Sequence, residues 1–429
     1  MATAHLLFLA HRVPWPPDKG DKIRSYHLLR HLAGRFTVHL GAFVDDERDW
    51  QHESALREVC GDVKLVPLGA LRTRARGALG LLTGAPFTTS CYADQRMARW
   101  VADTVRTHGI DRVLVFSSSM AQYAAGLENA VRVIDFVDVD SDKWRQYADR
   151  RRWYSFARWL YRREATLLAE HERSTARSFD ASLFVSAAEA RLFASVAPES
   201  IGRIGWFNNG VDADYFSPWL PFSNPYPSGE RAIAFTGAMN YWPNVDAVRW
   251  FATEVLPAIR EQEPDVVFTI VGSRPAKEVS MLARLPGVRV TGAVPDVRPW
   301  LVHAVAAVAP LRMARGVQNK VLEAMAMGKP VVTSPEALEG IDATDGDELI
   351  VAAGATAFSD AVLALLRQGA LEQRVRLGQR ARARILERYG WEPNLARVEL
   401  ALDAGRQAQE PALLSLLASN PREHFHELR

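Results

Sequence analysis

Short runs of β-branched and apolar residues, three of them closed by a glycine, recur through the second half of the chain and restrict its fold more than any other feature. Ile233–Thr236 stops at Gly237, Val266–Val271 at Gly272 and Val288–Thr291 at Gly292, while Val305–Ala309, Val331–Thr333 and Leu349–Val351 continue the series. Helix-length stretches separate these runs. Pro243-Asn244 opens one that is predicted to reach about Ile259, and Asp296 is placed as an N-cap. Brief apolar strands alternating with helices define a parallel sheet covered on both faces. Ligands of such sheets sit outside the carboxyl ends of the strands. Gly237, Gly272, Gly292 and the loop Pro310–Gly316 fall there.

The first half repeats the pattern more loosely. Strands are predicted at Leu6–Ala10, Val38–Phe43, Val63–Val66, Val113–Phe116, Val131–Asp135 and Leu183–Val185, with helices at about Ile23–Ala33, Gln95–Thr107 and Trp144–Ala176. Residues 218–229 are rich in proline and serine and lack periodicity, which marks a linker. The expectation is an α/β chain of two Rossmann-like domains, 1–217 and 230–395, facing an interdomain cleft, with a C-terminal helix and tail over 396–429. No GxGxxG follows the first strand, which argues against a dinucleotide dehydrogenase.

Bulk properties remove other classes. With 48% hydrophobic and 24% charged residues over 429 positions, the composition is that of a soluble globular protein. The net charge of +2 gives no global field for nucleic acid. Cys60 and Cys91 are the only cysteines, with no CxxC, so a reducing compartment fits. The eleven histidines show no ligand spacing along the chain; His11, near a proline-rich loop, is the one to watch. His5–Ala10 reads as a first strand and not as a signal peptide, and no apolar run reaches the ~18 residues of a membrane-spanning helix. A cytoplasmic location is expected.

The segment Arg315–Val332 carries the chemistry. It reads as a loop, a short helix, a stop at Gly328 and Pro330, and a buried strand. Gln318, Asn319 and Lys320 fall in the first helical turn. A cation there opposes the helix dipole, unless an anion docks against both the amides and the ammonium. Glu323, three residues on, shares the face of Lys320 and suits a ribose diol, because a carboxylate accepts two hydroxyl hydrogen bonds. The plain alternative is a surface ion pair on a helix packed by Val321, Leu322, Ala324 and Met325.

The same segment resembles the donor-binding motif of retaining GT-B glycosyltransferases of family 4, usually Glu, seven residues, Glu, then Ala-Met-Ala-x-Gly-x-Pro-Val-Val. Glu323 matches the second Glu, and Arg315 stands where the first would be. Pro14–Arg24 resembles that family's N-terminal loop, in which a glycine, here Gly20, approaches the donor diphosphate. Val185–Glu189 and Asn209–Asp212 also recur in it. More narrowly, the chain is similar to sugar transferases of exopolysaccharide and exosortase systems, through the proline-rich loop, Asp138–Ser141, Pro243–Asp246 and Gln318–Lys320. The resemblance implies a GT-B hexosyltransferase that binds a nucleotide-diphosphate sugar through Gly20, Gly237, Arg312, Asn319, Lys320, Val321, Leu322 and Glu323. It implies no cofactor, no bound metal and a saccharide or polyprenyl-diphosphate-linked acceptor. Lys320, Glu323 and Asp138 are the catalytic candidates, with Arg274 and Arg315 as further cations. Relatives often carry Arg and Lys after the strand that ends at Gly237, where this chain has Met239 and Asn240. Two other readings stay open: a GT-B epimerase, and a catalytically silent nucleotide-binding partner.

Two further features have functional and plain readings. Asp138-Val139-Asp140 looks like a metal motif of another transferase fold, but here it can orient a sugar hydroxyl or acceptor. The plain reading is a helix start capped by Ser141 or Asp142. Between Trp144 and Arg177, nine arginines interleave with seven aromatics. A helix with its aromatics turned to the core is the simpler reading. An anionic membrane surface, joined by Arg72, Arg74 and Arg76, is the functional one.

Overall fold

A computed structural model describes residues 4–17, 20–69, 76–77, 80, 83–149, 151–314 and 316–404. Arg315, Arg72, Arg74, Arg150 and the tail beyond 404 lie outside the described residues. The chain forms two compact units. One holds residues up to Asn208 together with the C-terminal helix from Glu392, and the other is Asn209–Trp391.

The first unit contains β1 (His5–Ala10), β2 (Thr37–Val44), β3 (Val63–Pro67), β4 (Arg112–Phe116), β5 (Val131–Val137), β6 (Ala181–Phe184) and β7 (Ile204–Trp206). They form one sheet in the order β3-β2-β1-β4-β5-β6-β7, and each pairing is parallel. Both faces are covered, so β1 and β4 are nearly continuous apolar runs. Chain order reverses between β1 and β4, which opens a crevice at the carboxyl ends. The expected Trp144–Ala176 helix is two, Asp140–Asp149 and Phe156–Ser178. Ser155 takes an extended N-cap conformation before the second, so the arginine- and aromatic-rich stretch turns instead of running on. The helix Trp391–Ala404 lies on this unit. Arg35 reaches Glu399 and Asp403, and Asn208 N–H donates to Asn394 Oδ1 at 3.1 Å.

The second unit contains β8 (Arg231–Thr236), β9 (Val266–Val271), β10 (Val288–Gly292), β11 (Ala306–Ala309), β12 (Val331–Thr333) and β13 (Ile350–Val351), in the order β10-β9-β8-β11-β12-β13. Again the pairings are parallel, and the order reverses between β8 and β11. The non-periodic stretch 218–229 has no regular structure; Tyr226 within it is buried and donates to the Trp300 carbonyl at 2.7 Å. The helix predicted from Pro243 exists but is interrupted. Trp242–Trp250 is α-helical, Phe251–Val255 is a π turn, and Leu256–Gln262 resumes the α-helix. Pro257 explains the wide turn, since its ring cannot donate an amide and collides with the carbonyl of the preceding turn. Asp296 is not the N-cap: Val297 takes that place without a side-chain bond, and Asp296, one residue earlier, accepts from the Arg298 amide at 2.9 Å in a local turn.

Three histidines without ligand spacing along the chain meet in space: His5, His39 and His108. Sequence separations of 34 and 69 residues conceal the cluster: the parallel register of β1 beside β2 brings His5 near His39, and the end of the helix Gln95–His108 adds His108.

Candidate functional site

The second unit's crevice is built by backbone first. Gly237, just past β8, has φ +155°, and a Cβ on it would lie 2.8 Å from Asn244 Nδ2 and 3.4 Å from Lys320 Cε. A Cβ on Gly272, past β9, would sit 1.7 Å from the Gly237 carbonyl oxygen. The two glycines therefore let two strand ends close up and leave room for the side chains above them. The Gly237 amide bonds the Val271 carbonyl at 3.0 Å and the Met239 amide the Ser273 carbonyl at 2.9 Å, which locks the loops together.

The helix Asn319–Ala326 follows β11 into this crevice. Gln318 precedes it as N-cap without a side-chain capping bond. The Val321 and Leu322 side chains are buried in the core, and both amides bond the Gln318 carbonyl, at 2.9 and 3.3 Å. Of the predicted donor-binding run, Val321 and Leu322 thus hold the helix in place. The amides of Asn319 and Lys320 are the ones a helix cannot satisfy internally.

Lys320 Nζ donates to Asn244 Oδ1 at 2.6 Å and lies 5.0 Å from the Phe235 ring centroid. Asn244 Nδ2 donates in turn to the Ala238 carbonyl at 2.9 Å, which fixes the amide with its oxygen toward the lysine. Burial pulls the Lys320 pKa down to about 8, and the smaller influence of Glu323 opposes it. Burial raises the Glu323 pKa to about 7, against a smaller effect of Lys320. Both groups are enclosed on most sides and keep only a strip of solvent contact. Arg312 pairs with the buried carboxylate of Asp246, Nε to Oδ2 at 3.0 Å and a terminal nitrogen to Oδ1 at 2.5 Å. Asn209, buried, donates to Asn319 Oδ1 at 2.9 Å.

Asn209, Asn244 and Asp246 had no assigned role in the sequence reading. The signal was present, because all three fall in motifs that carry the resemblance. Met239, after β8, is buried, while Arg274 past β9 has φ +53°.

In the first unit, Gly20 opens the helix Gly20–Ala33 that follows β1. His11, just past β1, stacks on Phe116 at 5.6 Å. Asp138 sits after Val137, a β-branched residue held at φ +69°. Three hydrogen bonds maintain that strained turn: Val137 N–H to Asp135 Oδ1 at 3.1 Å, Val185 N–H to the Val137 carbonyl at 2.7 Å and Asp138 N–H to the Phe136 carbonyl at 3.0 Å. Strain of this kind costs roughly 1–3 kcal/mol and gathers at functional sites. Burial raises the Asp138 pKa, opposed by Lys143 and reinforced by Asp140. The helix start is not capped by Ser141 or Asp142. Glu172 caps it from the neighbouring helix, accepting from the Ser141 amide at 3.1 Å and its hydroxyl at 2.5 Å, while Asp142 turns to Arg145 and Gln146. Burial, helped by Asp140, pushes Glu172 up to about 8. Arg24 and Asp135 form a fully buried pair, Nε to Oδ2 at 2.7 Å.

The crevice, its lysine and its glycines occupy the part of the chain that matches a known family. Residues 230–368 match the family described as Glycosyl transferases group 1. Sucrose-phosphate synthase from Thermosynechococcus elongatus superposes with a TM-score of 0.66 at 15% identity, covering 92% of this chain and 98% of that one. Anabaena HepE in complex with UDP gives 0.65 at 13%, covering 93% and 100%. WaaG, described as a glycosyltransferase involved in lipopolysaccharide biosynthesis, gives 0.63 at 16%, covering 94% and 100%. At these identities the likeness is one of fold: two parallel-sheet α/β units, as in GT-B glycosyltransferases. No curated protein matches the sequence significantly.

Proposed function

We propose that this protein is a retaining hexosyltransferase that moves a sugar from a nucleotide-diphosphate donor to a saccharide or polyprenyl-diphosphate-linked acceptor in exopolysaccharide biosynthesis. Lys320 carries the reading: an ammonium in a first helical turn, mostly enclosed, whose hydrogen-bond partner Asn244 is neutral. A diphosphate supplies the counter-charge. As the bond from sugar to diphosphate breaks, charge grows on the departing phosphate, and Lys320 with the first-turn amides stabilises it. Arg312, held in place by Asp246, is assigned to the edge of the donor site. Glu323 accepts the ribose hydroxyls. These cations do the electrostatic work that a divalent ion does elsewhere, so turnover proceeds without metal. Asp138, at its strained turn, and Asp140 are assigned to the acceptor side, and a donor phosphate oxygen takes the acceptor proton.

The complexes of Anabaena HepE with UDP and UDP-glucose make UDP-glucose the first donor to test. Donor consumption is measured with membrane extract as acceptor and EDTA present, and the anomeric configuration of the product is determined. Transfer with retention is expected. Nucleotide binding without transfer would leave a silent partner, and an isomerised donor without an acceptor would leave an epimerase.

The acceptor reading extends to a membrane surface. Among the described residues no helix is long and apolar enough to cross a membrane. The simple core-facing arrangement is overturned for part of the aromatic set: Trp153, Tyr154, Phe156 and Trp159 are 83%, 63%, 74% and 58% exposed where the two helices turn. Arg151 and Arg152 accompany them, while Arg76, Arg145, Arg158, Arg162, Arg173 and Arg177 pair with carboxylates. Each basic side chain at an anionic surface contributes about 1 kcal/mol. Co-flotation with anionic vesicles is therefore expected at low salt, weakened by Trp153→Ser with Phe156→Ser. Protein left unbound under those conditions would contradict it.

A further inference from the structure

We propose that His5, His39 and His108 form a binding site for one divalent transition-metal ion of the zinc class, at the amino ends of β1 and β2 in the first unit. His5 is the first residue of β1, His39 the third of β2 and His108 the last of the helix Gln95–His108. The donor-binding crevice belongs to the other unit, so this site is separate from the transferase reading.

One ring nitrogen from each histidine lies within 4.8 Å of the others. His5 Nδ1 and His39 Nε2 are 2.9 Å apart. Around an ion with metal–nitrogen bonds of about 2.0–2.1 Å, tetrahedral ligand atoms lie somewhat over 3 Å apart, so small ring rotations convert the cluster into a coordination sphere. Without an ion, a single proton bridges His5 and His39. With one, both lone pairs turn to the metal and the proton leaves or moves to the far nitrogen of His5. Three imidazoles suit zinc, nickel and copper, and not magnesium or calcium.

Asp62 supplies what an isolated histidine cluster lacks. One of its oxygens, Oδ2, faces His39 Nδ1 at 3.1 Å and His108 Nε2 at 2.8 Å. A carboxylate behind two imidazoles fixes their tautomers, aims their remaining nitrogens and raises their basicity toward a metal. The pocket is made for the His39 ring as well. His39 is 1% exposed, and a Cβ on Gly61 would lie 3.1 Å from its Cε1. The rings pack closely, with His39 and His108 centroids 4.2 Å apart and their planes tilted by 30°. Three imidazoles so placed repel one another when protonated.

The test uses the full chain, stripped with chelator and titrated with zinc chloride by calorimetry, and separately with cobalt(II), read by its visible absorption. One equivalent is expected to bind, with a tetrahedral cobalt spectrum and a zinc-dependent rise in Tm. Because His39 is buried, the decisive variants are His5→Gln and His108→Gln, checked for native circular dichroism. Each should weaken zinc at least tenfold and abolish the cobalt bands, and Asp62→Asn should weaken zinc about 10–100-fold. Zinc that binds no tighter to wild type than to the double histidine variant overturns the proposal, as does an octahedral, water-like cobalt spectrum. Sugar transfer is not the readout, so failure here leaves the transferase reading untouched, and the reverse holds.

Discussion

The two sheets share a strand order and a reversal at the same topological point, yet the cations of the helix after β1 and the lysine of the helix after β11 are partnered in opposite ways. In the first unit, Arg24 and Asp135 neutralise each other, and Lys22 donates to both oxygens of Asp49 at 2.8 Å. In the second, Lys320 has a neutral amide as its hydrogen-bond partner, and Glu323 reaches it only as a weak electrostatic influence. Both lie where ligands of parallel sheets bind. A cation matched by its own carboxylate contributes to one packed arrangement. A cation held ready by a neutral group, at a cost in desolvation, is completed by something from outside.

That contrast breaks first at Arg24. Arg24→Ala leaves Asp135 buried without its partner and should cost about 3–5 kcal/mol by urea denaturation, with Arg24→Met plus Asp135→Leu recovering most of it. A loss under about 1 kcal/mol would mean that the first-unit pair is not structural. Lys320→Ala should behave the other way. Tm is expected to hold or rise, because a desolvated charge has been removed, while UDP affinity falls about tenfold to a hundredfold, the worth of a charged hydrogen bond at ~1.5–3 kcal/mol. Unchanged affinity by calorimetry would end the phosphate assignment. Glu323→Gln should weaken UDP more than a 2′,3′-dideoxy analogue, and equal losses would show that the carboxylate does not read the ribose.

The mildest effect is on pH dependence. Lys320 binds phosphate when protonated, so affinity should decline as pH rises through about 8. Glu323 accepts hydroxyls when ionised, so affinity should also decline as pH falls through about 7. The optimum lies between, with Lys320→Ala flattening the alkaline limb and Glu323→Gln the acid one. A profile that keeps both limbs in both variants would assign them to other groups.

Much of this was legible in the residues. The strands of the second unit were delimited to within two residues, because short β-branched and apolar runs bounded by glycine, proline or polar residues leave little choice. Lys320 stood out as a charge placed against a helix dipole, and Glu323 by its three-residue spacing from it. What stayed hidden depends on tertiary geometry. Asn244 reads as an ordinary helix-start residue until Gly237 lets it approach the lysine. The cap from Glu172 spans 31 residues, and nothing local in Asp140–Ser141 requires it. The short strand Ile204–Trp206 escaped because three residues carry too little periodicity. The break before Ser155 was missed because arginines and aromatics are compatible with a continuous helix.

The π turn at Phe251–Val255 acts as a phase adjuster between two jobs of one rod. Upstream of it, Asn244 and Asp246 are presented to Lys320 and Arg312; downstream, Leu256 and Ile259 are buried in the core. An α-helix advances about 100° per residue, so one residue more or less rotates everything beyond it by that angle. Deleting Thr253 would rotate the two halves against each other, and both bury apolar residues in the same core. The strain of that mismatch would displace the lysine's amide partner and the arginine's carboxylate from their targets. The length of this rod, and not only its composition, is therefore a coordinate of the site, and shortening by a single residue is a way to detune it without altering any charged group.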